Sequence, residues 1–271
     1  MKVGFIQIDC QFGKVDQNIA RALELISQKE ADLWVLPELF NTGYQFISKK
    51  EVAELSEEIP GGQTTERLIA AARERKTSIV AGLVERSGKH FYNASILVGP
   101  KSLLSRYRKI HLFYKEKRFF SPGDLPYQVI PLRYRSSKGT SRLTRVGMMI
   151  CFDWIYPEAA RTLALLGADI ICHPSNLVLP HCPDAMLTRC LENRIYAITA
   201  NRIGMESRGA ESLRYIGQSE IVSPRGEILY RASGNREEAY VIEIDPTEAR
   251  KKMINPYNHL LEDRRAKFYK C

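Results

Sequence analysis

The chain has 271 residues, of which 44% are hydrophobic and 26% are charged. This length and balance are typical of a globular protein with one large domain or two small ones, and they exclude a disordered or fibrous chain. The 40 Lys and Arg residues outnumber the 31 Asp and Glu residues, which leaves a net charge of +9. The basic residues are scattered among acidic ones, and this pattern argues against nucleic-acid binding.

The first half of the chain alternates between strands and amphipathic helices. In chain order, hydrophobic periodicity predicts a strand at Val3–Ile8, a helix at Gln17–Lys29, a strand at Leu33–Leu36, a helix at Thr64–Lys76, and strands at Ser78–Val84, Phe91–Val98 and Leu103–Tyr107. The turn at Gly99 and Pro100 predicts that the last two of these strands pair as a hairpin.

The second half continues the alternation. The same reasoning predicts, in chain order, a strand at Arg145–Phe152, a helix at Pro157–Leu166, a strand at Ala168–Cys172, a helix at Pro183–Arg194, a strand at Tyr196–Asn201, hairpin strands at Ile216–Val222 and Glu227–Arg231, a strand at Ala239–Ile244 and a short helix at Thr247–Met253. The polar stretch Tyr134–Thr144 predicts an exposed hairpin tip.

This order of elements mixes strand–helix units with hairpins. A pure Rossmann or TIM-barrel repeat would not place hairpins side by side at 78–107 and 216–231. The pattern favours an α/β fold with mixed sheets and helices on the outer faces. No internal repeat or linker divides the sequence, so we expect a single domain over residues 1–271.

No segment predicts a membrane span or an export signal. No run approaches the roughly 18 consecutive apolar residues that a transmembrane helix needs. The run Val3–Ile8 meets Asp9 and Gln11 too soon to form the core of a signal peptide. The 6 cysteines contain no CxxC pair and no compact disulfide framework. We therefore expect a cytoplasmic protein without a membrane partner.

A carboxylate follows one of the buried strands directly. Glu38 comes just after the predicted strand Leu33–Leu36, and aromatic residues surround it in the sequence at Trp34, Phe40 and Tyr44. Ligand sites in sheet proteins gather beyond strand ends, and an apolar wall raises the pKa of a carboxyl group. The alternative is a glutamate that only caps a neighbouring loop.

Two further strand ends carry reactive side chains. Lys109 ends a basic run that starts at Arg106, and its alternative interpretation is a solvated basic surface. Cys151 ends a buried strand shortly before the helix that starts at Pro157. Backbone N–H groups in such a turn favour a thiolate and can hold an oxyanion, whereas the alternative is an inert core cysteine.

Together these residues match a known pattern. Glu38, Lys109 followed by Ile-His-Leu-Phe, and Cys151 followed by Phe-Asp-Trp resemble the nitrilase or carbon–nitrogen hydrolase superfamily, closest to its short single-domain prokaryotic members, including archaeal ones. Further matching segments are Phe120–Asp124, His173–Asn176, Leu191–Arg194 and Asn201–Gly204. The resemblance extends from Val3 to about Asp263, and the polar insert near 134–144 is longer than is usual in those proteins.

The resemblance implies a fold and a set of catalytic roles. The fold is a four-layer α-β-β-α sandwich of two mixed sheets. Cys151 takes the place of the nucleophile, Glu38 that of the general base, and Lys109 that of the cation that stabilises the tetrahedral intermediate. Glu116 takes the place of a second glutamate that positions the lysine and the substrate. The intermediate is a thioester, and the chemistry needs no metal and no cofactor.

Substrate contacts are expected from three loops, at Asn41–Phe46, Glu116–Asp124 and Ser175–Pro183, and from the turn after the nucleophile. The candidate substrate-binding residues are Tyr44, Phe152, Trp154 and Asn176. Ile155 departs from the aromatic residue that related sequences often carry, and Cys172 and Cys182 are expected near the pocket. A metal site at His173, His181 and Cys182 is disfavoured, because their spacing matches no known metal motif.

These features leave more than one function possible. The first function is an amidase or nitrilase that acts on a small amide or nitrile. The alternatives are an N-carbamoyl amine amidohydrolase and a catalytically silent binding protein on the same fold. Apolar residues on more than one side of the helices at 157–166 and 183–194 predict at least a homodimer. The family resemblance implies that these helices pack about a two-fold axis, with Pro256–Cys271 reaching toward the second subunit.

Overall fold

Strands and helices alternate along the part of the chain that the computed structural model describes, residues 1–135 and 139–269. The strands are β1 (Lys2–Gln7), β2 (Leu33–Val35), β3 (Ser78–Ser87), β4 (His90–Val98), β5 (Leu103–Arg108), β6 (Val129–Arg135), β7 (Ser141–Met148), β8 (Ile170–Pro174), β9 (Tyr196–Ala200), β10 (Met205–Arg208), β11 (Glu211–Arg214), β12 (Glu220–Val222), β13 (Ile228–Arg231), β14 (Glu238–Glu243), β15 (Met253–Asn255) and β16 (Asn258–His259). The helices are α1 (Val15–Ser27), α2 (Lys49–Leu55), α3 (Gln63–Arg75), α4 (Glu116–Phe119), α5 (Pro157–Leu165) and α6 (His181–Asn193). Short 3-10 turns occupy Cys151–Ile155, Pro246–Arg250 and Ala266–Phe268.

Two large mixed sheets form the centre of the described structure. The first sheet has the strand order β14-β1-β2-β3-β4-β5, and the second has the order β13-β12-β9-β8-β7-β6. In each sheet three neighbouring strands run parallel, β1–β2–β3 and β7–β8–β9, and the remaining pairs are antiparallel.

The alternation of side chains along each strand explains how the sheets pack. On β1, Val3 and Phe5 belong to a hydrophobic cluster that also contains Ile170 and Ile198 of the second sheet. Ile6, on the opposite face of the same strand, belongs to a separate cluster with the outer helices. Strands covered on both faces need apolar residues at nearly every position, which is why they form continuous apolar runs in the sequence.

Helices cover the outer face of each sheet. Ile19 of α1 and Leu68 of α3 cluster with the outward side chain of Trp34 on the first sheet. Leu163 of α5 and Met186 of α6 cluster with the second sheet. The layers therefore follow the order α-β-β-α, and the predicted fold class is confirmed. Among the helices of the described residues, none combines the length and the apolar character needed to cross a bilayer.

Some predicted elements have different bounds. The predicted strand at Ile216–Val222 is limited to Glu220–Val222, because Gly217 and Gln218 both adopt a left-handed backbone with positive φ. The predicted helix at Thr247–Met253 is instead a 3-10 turn that Asp245 caps by accepting a hydrogen bond from the Thr247 N–H, followed by β15.

The polar stretch Tyr134–Thr144 lies mostly within paired strands. Arg135 of β6 pairs with Ser141 of β7, so the hairpin extends further into this stretch than the sequence predicts. Residues 136–138 of the predicted tip lie outside the described residues. The sequence pattern does not predict α2 or the β10–β11 hairpin, because these are short elements with few apolar residues.

Candidate active site

The Glu38 side chain is fully buried just beyond the end of β2. Its Oε1 accepts hydrogen bonds from Lys109 Nζ at 2.7 Å and from Asn93 Nδ2 at 2.6 Å. Its Oε2 has no hydrogen-bond partner within the described residues, so this oxygen is free to accept a proton. Gly82 on β3 permits the close approach, since a Cβ there would lie 2.6 Å from the Glu38 Cα.

Lys109 lies between two carboxylates. It directly follows β5, and its backbone N–H donates to the carbonyl of Asn93 on β4 at 2.8 Å. Its buried Nζ donates to Glu38 Oε1 and to Glu116 Oε1, each at 2.7 Å. Glu116 Oε1 also accepts a hydrogen bond from the Tyr44 hydroxyl at 2.7 Å. A buried charge needs partners, and this chain of contacts supplies them to all three ionisable groups.

Cys151 follows β7 of the second sheet and starts a sharp turn. β7 ends at Met148, and Cys151 has a left-handed backbone with φ of +40°, which is uncommon for a residue other than glycine. Such a conformation costs about 1–3 kcal/mol and persists only where the surroundings enforce it. The sequence predicts that this strand continues to Phe152, but the turn at Cys151 ends it earlier.

Two buried side chains hold this turn. Asp153 Oδ2 accepts hydrogen bonds from the Ile150 N–H and the Tyr107 hydroxyl, both at 2.8 Å, and its Oδ1 contacts His111 Nδ1 at 2.7 Å. His173 Nε2 lies 2.9 Å from the Cys151 carbonyl oxygen. Because that oxygen can only accept, His173 must be protonated on Nε2. Asp153 and His173 together fix the backbone that carries the thiol.

Burial and charge set the protonation of the three central groups. Burial raises the pKa of Glu38, and the negative Glu116 adds to this, while Lys109 opposes it. Burial alone would lower the pKa of Lys109, but Glu116 and Glu38 outweigh it and raise the pKa above its usual value. Burial and the charge of Glu38 raise the pKa of the Cys151 thiol. At rest, the Cys151 thiol is therefore protonated and not the thiolate that its strand-end turn favours, and it lies near the Glu38 carboxyl group and the Lys109 ammonium group.

A cavity of about 300 Å³ opens over Cys151. The residues that line it are Phe113, Cys151, Phe152, Trp154, Ile155, Asn176, Leu177, Val178, Leu179 and His181. Asn176 is buried, its Nδ2 donates to the Glu38 carbonyl oxygen at 2.8 Å, and its backbone N–H forms a hydrogen bond with Cys151. A substrate in this cavity would therefore contact the thiol directly.

The candidate residues from the sequence fall into two connected groups. Glu38, Lys109, Glu116 and Tyr44 form one hydrogen-bonded chain. Cys151, Phe152, Trp154 and Asn176 line the cavity. Tyr44 is not among the residues lining this cavity, and its hydroxyl supports Glu116 instead. Cys172 and Cys182, expected near the pocket, also lie off its wall, in the cluster beneath α5 and α6.

Comparison with known proteins identifies the family. The carbon-nitrogen hydrolase family model matches residues 2–252, nearly the whole chain. The chain belongs to the carbon–nitrogen hydrolase family. It is 47% identical to a nitrilase of Pyrococcus abyssi over 99% of both chains, and 33% identical to an (R)-stereoselective amidase of a Pseudomonas species over 98% of this chain and 92% of that one. The crystal structure of a carbon-nitrogen hydrolase from Helicobacter pylori G27 matches with a TM-score of 0.86 and 28% identity, covering 99% and 96% of the two chains.

Asn93 is a site residue of this carbon–nitrogen hydrolase that the sequence pattern does not predict. Asn93 lies on β4 with its side chain buried, and it donates to the same Glu38 oxygen as Lys109 does. The signal in the sequence is a single amide in the apolar run Phe91–Val98. A buried polar group in such a strand needs a partner, but the partner lies 55 residues away and no local pattern reveals it.

A second buried ion pair supports the loop that carries Tyr44. Arg202 NH1 donates to Glu206 Oε1, and both side chains are buried. Glu206 Oε2 accepts hydrogen bonds from the Gln45 N–H at 2.7 Å and the Tyr44 N–H at 3.2 Å. Arg202 lies in Asn201–Gly204, one of the segments that carry the family resemblance. Its buried ion pair with Glu206 indicates that this segment supports the loop that carries Tyr44.

No metal site is evident in the described ranges 1–135 and 139–269, where no group of three His, Cys, Asp or Glu side chains could hold an ion. His173, considered as a ligand, uses its two ring nitrogens on the Cys151 carbonyl and the Thr199 hydroxyl. His181 lies at the cavity, and Cys182 lies in the core.

His173 makes the stability of this hydrolase depend on pH. Burial lowers its pKa from 6.5 to about 4. As the pH falls from 6.5 toward 4, the His173 side chain therefore takes up a proton in the unfolded chain but not in the folded chain. The free energy of unfolding should decrease as the pH falls through this window, by up to about 3 kcal/mol from this group. Urea unfolding at several pH values measures the effect.

Carboxylates also titrate in that window, so the contribution of His173 is isolated by substitution. His173→Gln keeps a side-chain N–H that can donate to the Cys151 carbonyl but cannot titrate. It should reduce the pH dependence of the free energy of unfolding relative to wild type. Equal pH dependence in wild type and His173→Gln would contradict the assignment.

Proposed function

We propose that this hydrolase converts a small amide or nitrile to a carboxylic acid and ammonia through a thioester on Cys151. The observation that carries the proposal is the buried contact of Lys109 with Glu38 and Glu116, next to a thiol that opens into a cavity. We assign Cys151 as the nucleophile, Glu38 as the general base, and Lys109 as the cation that stabilises the oxyanion.

In the acylation of an amide, Glu38 accepts the thiol proton while the sulfur attacks the carbonyl carbon. The new C–S bond moves an electron pair onto the carbonyl oxygen. The Lys109 ammonium and the Phe152 backbone N–H hold this oxyanion, and one such donor contributes roughly 3 kcal/mol. The oxyanion then collapses, the C–N bond breaks, and the proton on Glu38 passes to the leaving ammonia.

Deacylation uses the same base. Glu38 accepts a proton from water, and the resulting hydroxide attacks the thioester carbon. The C–S bond then breaks to release the acid, and the proton on Glu38 returns to the leaving thiolate. A nitrile first gives a thioimidate, to which one water adds before ammonia leaves, so two waters are consumed in total. Lys109 Nζ keeps its contact with Glu116 while Glu38 carries the proton, so the lysine stays an ammonium group through both half-reactions.

An ammonia-release panel of small amides, nitriles and N-carbamoyl amines tests the proposal. We expect release from amides or nitriles, and an acyl adduct on Cys151 in rapidly quenched samples. Iodoacetamide should label Cys151 before the other described cysteines, which lie buried off the cavity at Cys10, Cys172, Cys182 and Cys190. A protein that releases no ammonia and resists labelling at Cys151 would be a binding protein instead.

We propose further that two copies associate through the face formed by α5 and α6. Leu165, Leu166 and Leu191 are each about half exposed there, and the adjoining C-terminal segment exposes Tyr257 and Phe268. A helix covering one sheet face needs only one apolar stripe, so the excess favours a self-complementary contact. Since α5 starts two residues after the Cys151–Ile155 turn, this contact would also stabilise the nucleophile.

Sedimentation tests the association. At micromolar concentration we expect twice the chain mass or a higher even multiple. Leu191→Glu places a charge in the proposed contact and should shift the protein toward the monomer, whereas Leu104→Glu, at an exposed leucine of β5, should not. A fully active monomer would contradict both the interface and its support of the site.

We propose the cytoplasm as the working compartment. All described cysteines, Cys10, Cys151, Cys172, Cys182 and Cys190, are free thiols. A nucleophilic thiol needs a reducing environment to stay available, and the cytoplasm provides one.

A further inference from the structure

The wall of the cavity above Cys151 is almost entirely apolar. Phe113, Phe152, Trp154, Leu177 and Leu179 contribute aromatic or aliphatic side chains to it. We propose that the group attached to the reacting carbon of the substrate is uncharged and apolar, so that the enzyme selects against substrates with a carboxylate or ammonium on that group. This inference rests on the proposed function and narrows its substrate class.

Three charged side chains that contact residues of the cavity or its thiol, those of Arg189, Glu38 and Lys109, are already paired. The Arg189 guanidinium donates to the Trp154 carbonyl oxygen at 3.1 Å and pairs with Glu192 at 2.8 Å. Lys109 forms ion pairs with both Glu38 and Glu116. Apart from Cys151, His181 is the one titratable residue among those lining the described cavity. Because His181 is exposed to solvent, a charged substituent would find no buried counter-ion in this wall.

The physical consequence is a large penalty for a charged substituent. A carboxylate or ammonium that enters this wall gives up its hydration without gaining an ion pair, which is costly. An alkyl or aryl group of the same size gains from the same transfer, because apolar surface leaves water. The cavity can therefore discriminate between a charged and an uncharged group of the same size and shape.

The size and mouth of the cavity fit the same class. A volume of about 300 Å³ is at the small end for ligand pockets, so the acyl group is compact. At the rim, Ile155 is 43% exposed and Leu179 is 52% exposed. Exposed apolar side chains that border a cavity provide an apolar entry path, which favours the same substituents during binding.

Matched substrate pairs test the inference. Isocaproamide has an isopropyl group where succinamate has its carboxylate, and caproamide has a methyl group where δ-aminovaleramide has its ammonium. The members of each pair are nearly equal in shape and differ in charge. We expect kcat/KM to be at least about 100-fold higher for the uncharged member of both pairs. The corresponding nitriles serve if nitriles prove the better substrates.

Variants at Leu179 change the charge at the mouth without entering the core. Leu179→Lys should reduce the preference for isocaproamide over succinamate by at least about fivefold and leave δ-aminovaleramide a poor substrate. Leu179→Glu should do the reverse, improving δ-aminovaleramide alone. Leu179→Gln is the matched polar control, and it should not separate the anion from the cation.

The outcomes distinguish this inference from the proposed function. If the charged members are turned over as well as the uncharged ones, the inference is wrong while C–N hydrolysis stands. If no substrate releases ammonia, the proposed function fails, and binding of the same pairs to Cys151→Ala still tests the cavity. Calorimetry should then give tighter binding of the uncharged amides, and equal or tighter binding of the charged ones would overturn the inference.

Discussion

Cys151→Ala should lower kcat for ammonia release by at least about 10⁴-fold, because no other group can form the thioester. The side chain that is removed is small and lies at the floor of a cavity, so the melting temperature should hardly change. Cys151→Ser should also be poor, since a carboxylate deprotonates a hydroxyl far less readily than a thiol. Single-turnover assays and thermal unfolding measure the two effects.

Cys172→Ala is the matched control for this prediction. It removes another fully buried thiol, from β8, but that thiol lies off the cavity. Turnover should persist, while stability decreases slightly through lost packing. If Cys151→Ala kept more than about a hundredth of the wild-type rate, the thiol would not be the nucleophile.

Glu38→Gln should fold and bind substrate but lose at least about 10³-fold in kcat. Glutamine keeps the shape and can still accept the hydrogen bonds that Oε1 accepts from Lys109 and Asn93. It cannot accept the thiol proton, which is the role proposed for Oε2, the oxygen without a partner among the described atoms. Steady-state kinetics separate kcat from KM.

Glu220→Gln controls for the loss of a buried carboxylate. Glu220 is buried on β12 and pairs with Arg231 outside the site. Its substitution should leave turnover largely unchanged. An increase of KM with unchanged kcat in Glu38→Gln would make Glu38 a binding residue, and the proposed mechanism would be wrong.

The central strands of the fold could be predicted because both faces of each sheet are covered. Runs such as Leu33–Leu36 are apolar throughout for that reason. The β10–β11 hairpin could not be predicted, since its residues are mostly exposed or half-exposed and show little periodicity. The end of β7 also escaped prediction, because apolar residues continue up to Cys151 while the backbone already turns.

The site was accessible to sequence analysis only where residues follow strand ends in a familiar order. Glu38, Lys109 and Cys151 meet this condition. Their supporting partners do not, because the partnership exists only after the layers have packed. Tyr44 and Glu116 are 72 residues apart, and nothing in either local sequence indicates that their side chains share a hydrogen bond.

The catalytic groups come from different layers of the fold, so catalysis depends on how the two sheets are aligned. Glu38 and Lys109 extend from the first sheet, whereas Cys151 extends from the second. A shift of one sheet relative to the other by about 1 Å would change the distance between the Glu38 carboxylate and the Cys151 thiol. A misplacement of that size lowers the rate by roughly 100-fold. We therefore expect turnover to be lost at a lower denaturant concentration than the one at which the strands within each sheet separate.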